Sequence, residues 1–129
     1  MPRPIRILFI VHGVINAAAG VVLLVAPALI PSTVNVTLTV GGELVPWLLG
    51  AVELGIAVIS VGAAFLRDGA AVRLIAVAFG FMHLVTAIVE GMVLALFPGV
   101  SPLLWGNIAV RVIAVVLFAV AAARTRSPR

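Results

Sequence analysis

Phe81-Met82-His83-Leu84-Val85-Thr86-Ala87-Ile88-Val89-Glu90-Gly91 sets an imidazole and a carboxylate inside a run otherwise apolar enough to cross a bilayer. His83, Thr86 and Glu90 are offset by three, four and seven residues. A helix therefore aligns them on one face, about 10 Å from end to end at ~1.5 Å rise per residue. Polar groups at such depth need partners, because hydrocarbon supplies none. The stretch thus predicts a helix surrounded by other helices that bring matching groups to it.

The composition agrees. The 129 residues are 64% hydrophobic and 9% charged, whereas soluble domains run roughly 45 to 50% apolar and ~25% charged. The mean hydropathy of +1.38 places the chain among integral membrane proteins. A pI of 11.8 is compatible with nucleic-acid binding, but all eight basic residues are arginines that form no aromatic-interleaved patch, so nucleic acid is excluded as a partner. Cysteine is absent, which removes disulfides, thiolate metal sites and cysteine nucleophiles.

Taken outward from that helix, the chain divides into four apolar runs of about 5–26, 46–66, 71–97 and 102–123, each near the ~20 residues that span a bilayer. Arg3 and Arg6 followed by Ile7 to Ala26 look like a signal peptide. The run is longer than the usual apolar core of roughly 7 to 15 residues, so it is expected to persist as the first spanning helix. Pro27 and Pro31 stop it. Residues 28–45 form an outer loop in which Ser32-Thr33-Val34-Asn35-Val36-Thr37-Leu38-Thr39-Val40 alternates polar and β-branched residues, a strand-like or irregular pattern. A surface loop is the plain reading of it; a cap folded over the end of the bundle and a partner-binding edge are the others. Asn35-Val36-Thr37 matches a glycosylation sequon too short to carry weight.

Orientation follows from the arginines. With both termini cytoplasmic, Arg3, Arg6, Arg67, Arg73, Arg124, Arg126 and Arg129 are all inside, and the outer loops hold only Glu43. Trp47 and Trp105 then stand at the outer ends of the second and fourth helices, as interfacial anchors or as the rim of a pocket. The spacing His12-x7-Gly20-x6-Pro27-x3-Pro31 recurs as His83-x7-Gly91-x6-Pro98-x3-Pro102, which predicts two pseudo-repeated helical hairpins. The fold expected is all-α: a single four-helix transmembrane bundle over 1–129. Recurrent small residues, among them Gly13, Gly20, Gly50, Gly55, Gly62, Gly80 and Gly91, would allow close helix packing.

Depth counting groups the intramembrane polar residues. Glu53, Glu90 and Arg111 fall within a turn of one another toward the outer side, with Asn107 one turn outward, Asn16 deeper, and His12 and His83 near the middle. Charges near a helix centre cost roughly 2.5 to 3.5 kcal/mol each on insertion scales, so they should face inward. Arg111 can take one carboxylate in a bidentate pair, leaving the other acid protonated or balanced by a charged histidine. Asn16, Asn107, Ser60 and Thr86 have a simpler reading as interhelical hydrogen-bonding groups. No cofactor and no metal is expected, since Arg111 among the histidines and glutamates opposes a divalent cation.

His12-Gly13-x2-Asn16-x3-Gly20-x6-Pro27 in the first helix and Leu48-Leu49-Gly50-Ala51-x-Glu53-Leu54-Gly55 in the second resemble the small four-helix bacterial membrane proteins called DoxX-like. The resemblance covers the helices and skips the outer loop. It implies fold and a location in the bacterial cytoplasmic membrane, and transfers no catalytic residue. Small multidrug-resistance exporters also have four helices, but their acidic residue lies in the first helix, where this chain has His12 and Asn16.

The leading functional expectation is a polar pocket that binds a small lipophilic molecule and transforms it by acid and base catalysis, as an isomerase, cyclase or epoxide-opening hydrolase. Glu53 or Glu90 would donate a proton while the other, or His83, accepts one, and Arg111 would set which acid stays ionised. Substrate contacts would come from His12, Asn16, Asn107, Trp47 and Trp105. A proton-coupled transporter and a non-catalytic accessory subunit are the alternatives, with membrane lipid and a second copy of the chain as further partners.

Overall fold

A computed structural model describes residues 1–125; Arg126 and Arg129 of the basic set lie outside the described residues. Five helices follow one another: α1 (Arg3–Val25), α2 (Leu29–Thr33), α3 (Leu44–Ala63), α4 (Gly69–Leu96) and α5 (Leu104–Arg124). The structure is 78% helical with no strand among the described residues. Helices α1, α3, α4 and α5 are 23, 20, 28 and 21 residues long and apolar enough to cross a membrane. This is an integral membrane protein, and its outer faces bear that out chemically: Val58, Leu74, Phe81 and Ile113 are exposed apolar side chains that lipid, not water, would cover.

Local chemistry sets the boundaries. Asp68 caps α4, its carboxylate accepting from the Ala70 N–H at 2.8 Å, an interaction that removes one orphan donor of the first turn. Pro46 was expected to open α3, yet the helix begins two residues earlier, at Leu44. Proline is tolerated in a first turn, whose N–H groups have no helical acceptor. Pro27 follows the end of α1 and Pro98 that of α4, where no further turn of helix can form past them.

Outer-loop residues 28–45 do not form the strand their alternation allowed. Leu29–Thr33 makes one helical turn, and the chain then runs irregularly, entering the left-handed region at Asn35 (φ 61°) and Gly41 (φ 81°). An isolated extended segment here has no neighbouring strand to pair with. Instead the Ser101 N–H, in the α4–α5 turn, donates to the Val34 carbonyl at 3.1 Å and ties the two loops together at one end of the bundle. That end is called the loop end below, and the opposite one the terminal end.

Helix α1 packs along α3 and α4 along α5, while backbone approach between the two pairs is slight. At the α1–α3 seam Gly20 and Gly50 face each other so closely that a Cβ built on either would lie 2.9 Å from the other's carbonyl oxygen. Gly13 meets Ala57 and Val61 in the same way. Gly55, Gly62 and Gly91 border open space, so their recurrence has no packing role within this chain. What joins the two pairs is side-chain packing toward the terminal end, where Phe9 and Phe118 are fully buried beside Phe79. Their rings lie 5.4 to 6.3 Å apart in tilted pairs, a favoured aromatic geometry.

Candidate functional site

Polar groups converge above that aromatic layer. His12 on α1 and His83 on α4 meet Nε2 to Nε2 at 3.0 Å, and both are buried. The Phe118 ring supports both, edge-on to His12 at 4.9 Å and stacked with His83 at 6.0 Å. On the far side of His12, Nδ1 lies 2.9 Å from the hydroxyl of Ser60, which donates to the Phe9 carbonyl at 2.9 Å. On the far side of His83, Nδ1 lies 3.5 Å from Nη1 of Arg111.

Arg111 links this layer to the next. Its Nε donates to Glu90 Oε1 at 2.7 Å, and the Asn107 side-chain amide donates to the same oxygen at 2.7 Å. The expected bidentate pair is therefore a single-oxygen contact. Nη1 of the guanidinium is turned toward His83, and Nη2 makes no hydrogen bond to Glu90. Glu90 Oε2 is buried and has no hydrogen-bond partner. Glu90 is the carboxylate that Arg111 and Asn107 hold. Glu53, half-buried on α3, makes no hydrogen bond or ion pair among the described residues.

Glu90, Arg111 and Asn107 also line a cavity of about 710 Å³ at the loop end. Its walls are Leu23, Pro46, Leu49 and Leu104 from three helices, and its roof is the outer loop through Pro31, Val34, Val36 and Leu38. That loop is a cap. Its alternation matches the lining: Val34, Val36 and Leu38 border the cavity, whereas Asn35, Thr37 and Thr39 do not. The volume falls in the range of roughly 300 to 1,000 Å³ typical of small-molecule sites, and the lining has their usual character, mostly apolar with a few convergent polar groups.

The structure thus divides the residues singled out in the sequence. Glu90, Arg111 and Asn107 come together in the cavity wall, and His83 touches Arg111 from beneath it. His12 is one hydrogen bond further away. Asn16 uses its amide to bond the His12 carbonyl of its own helix at 2.6 Å, and Thr86 bonds the Met82 carbonyl at 2.8 Å, both within one helix rather than between helices. Trp47 and Trp105 are 46% and 61% exposed and do not line the cavity, as suits interfacial anchors. Glu53 is likewise outside the cavity lining. Ser60, which sequence reasoning left as an ordinary hydrogen-bonding residue, is fully buried and anchors the histidine pair.

No family model, curated protein or solved structure matches the chain.

Proposed function

We propose that the loop-end cavity binds a small lipophilic molecule bearing a carbonyl oxygen, and that Glu90 and Arg111 act on it as base and oxyanion partner. The observation that carries this reading is the pairing of an apolar chamber of about 710 Å³ with charged lining residues that are one carboxylate and one arginine. A neutral ligand fits best, because the pair is already charge-balanced and an ionic head would unbalance it in low dielectric. Nη2 of Arg111 remains available to a carbonyl oxygen.

The chemistry such a pair performs is proton abstraction beside a carbonyl. Glu90 takes the α-proton, the C–H electron pair enters the enolate, and Arg111 stabilises the negative oxygen. Glu90 then returns the same proton to carbon, at the γ position if the substrate is a β,γ-unsaturated ketone, which yields the conjugated isomer. Apolar walls exclude water from the enolate. Isomerisation is favoured over cyclisation or epoxide opening, since those need a strong proton donor and Glu90 is held as an anion by two donors.

The loop end is read as the non-cytoplasmic side. Arg3, Arg6, Arg67, Arg73 and Arg124 lie toward the terminal end, and the connecting loops at the loop end carry only Glu43. Two repeated hairpins are supported by the α1–α3 and α4–α5 pairing and by the meeting of His12 and His83, the two residues that begin the repeated spacing. The test is a medium-chain β,γ-unsaturated methyl ketone added to the protein in lipid nanodiscs. Conjugated-enone absorbance should grow with wild type and be lost with Glu90→Gln; equal rates for the two proteins would end the catalytic reading.

A further inference from the structure

Ser60, His12, His83 and Arg111 form one continuous chain of hydrogen bonds, and the two ends of that chain fix its direction. At one end the Ser60 hydroxyl spends its single proton on the Phe9 carbonyl, 2.9 Å away. A carbonyl cannot donate, so Ser60 Oγ must accept from His12, which places the proton of His12 on Nδ1. Its Nε2 is then a lone pair that accepts from His83 Nε2–H across 3.0 Å. His83 Nδ1 is left as a lone pair facing Arg111 Nη1 at 3.5 Å. A guanidinium has only donors. The far end therefore demands the same polarity independently. Reversing the chain, or adding a proton to either ring, would set two N–H donors against each other at a buried contact, a cost of the kind that keeps such groups paired.

We propose that His83, backed by His12 and Ser60, is the positioning residue of Arg111: the pair is held neutral, with His12 as the Nδ1–H tautomer and His83 as the Nε2–H tautomer, so that a ring lone pair orients the guanidinium beneath the cavity. The proposal deepens the reading of Arg111 as the oxyanion partner and rests on it only for its purpose. The geometry accounts for two features. Arg111 is held from both sides at once, Nε on Glu90 Oε1 and Nη1 facing the His83 lone pair. Ser60 is fully buried on α3, opposite the Phe9 carbonyl of α1, because it sets the polarity of a bond between the two helix pairs. Arg111 does not release its proton and the Phe9 carbonyl has none to give, so the chain orients groups and carries no proton across the membrane.

The chain has two histidines, so ¹⁵N-histidine NMR of the full protein in lipid at pH 7 reads both directly. The expected spectrum has two neutral rings, one protonated at Nδ1 and the other at Nε2. Either end alone dictates the same polarity, so Ser60→Ala and Arg111→Met should each retain this pair of tautomers. The double variant should show mixed populations. Two rings of the same tautomer, or a charged ring at pH 7, would overturn the proposal on the wild-type spectrum alone, whether or not any variant folds. Scrambling by Ser60→Ala alone would also overturn it, since Arg111 would then not hold its end. The readout requires no ligand: if the tautomers are as stated and the ketone is neither bound nor isomerised, the functional reading fails and the positioning chain stands.

Discussion

Replacing Arg111 by Gln isolates the energetics of the site. The side chain of Glu90 is 13% exposed and that of Arg111 23%, so the substitution leaves a carboxylate in an apolar wall with Asn107 as its remaining donor. Removing one member of a fully buried ion pair costs roughly 3 to 5 kcal/mol. Partial exposure brings the loss below that range, to about 2 to 3 kcal/mol. Adding Glu90→Gln should recover most of the loss, since two neutral amides can bond to each other. Reversible unfolding in mixed micelles, with the wild type, both single variants and the double variant, measures each term. A loss below about 0.5 kcal/mol, or one that Glu90→Gln does not relieve, would refute the account of Glu90 as a carboxylate held by Arg111.

Other consequences are separable. Gly20→Ala drives a methyl group against the Gly50 carbonyl, which is backbone and cannot yield cheaply, and should cost about 1 to 3 kcal/mol in the same unfolding assay. Gly55→Ala meets nothing and should be neutral or stabilising by up to about 1 kcal/mol. Leu49→Trp puts an indole into the cavity from a wall position that is 47% exposed; bound ketone, measured by equilibrium dialysis, should fall at least tenfold while thermal stability holds. The protein contains no cysteine, so Thr39→Cys and Arg67→Cys report topology by impermeant maleimide labelling of intact cells. The first should label and the second should not, and the opposite pattern would invert the assignment of the loop end.

Much of the architecture is legible in the residues because the bilayer imposes it. Apolar runs of spanning length, ended by Pro27, Pro98 and the Arg67-Asp68 turn, can only be helices when hydrocarbon offers the backbone no partner. Depth counting also places Glu90, Asn107 and Arg111 together, since position along a helix is nearly linear in sequence. Rotation about the helix axis is less accessible. Glu53 shares the depth of Glu90 but stays outside the cavity lining, and no periodicity within α3 could indicate which face meets α1. Asn16 and Thr86 bond to their own helices for a similar reason: a carbonyl one turn back is always within reach, whereas an interhelical partner depends on packing. The connection between the two polar layers was hidden because it runs through the length of Arg111. That side chain reaches Glu90 and His83 at once, although they lie seven residues apart on α4. The loop read as a surface segment becomes a roof for want of a strand to pair with, and its alternation marks which residues face the cavity.

Deuterium wash-in tests the central claim most directly. A saturated methyl ketone, incubated in heavy water with the protein in nanodiscs, exchanges its α-hydrogens faster than with empty nanodiscs only if a base in the protein removes them. The account predicts exchange above the rate of empty nanodiscs, reduced by roughly 10²- to 10⁴-fold, the usual contribution of a general base, in Glu90→Gln. Exchange at the empty-nanodisc rate with wild type, or undiminished in Glu90→Gln, would contradict it.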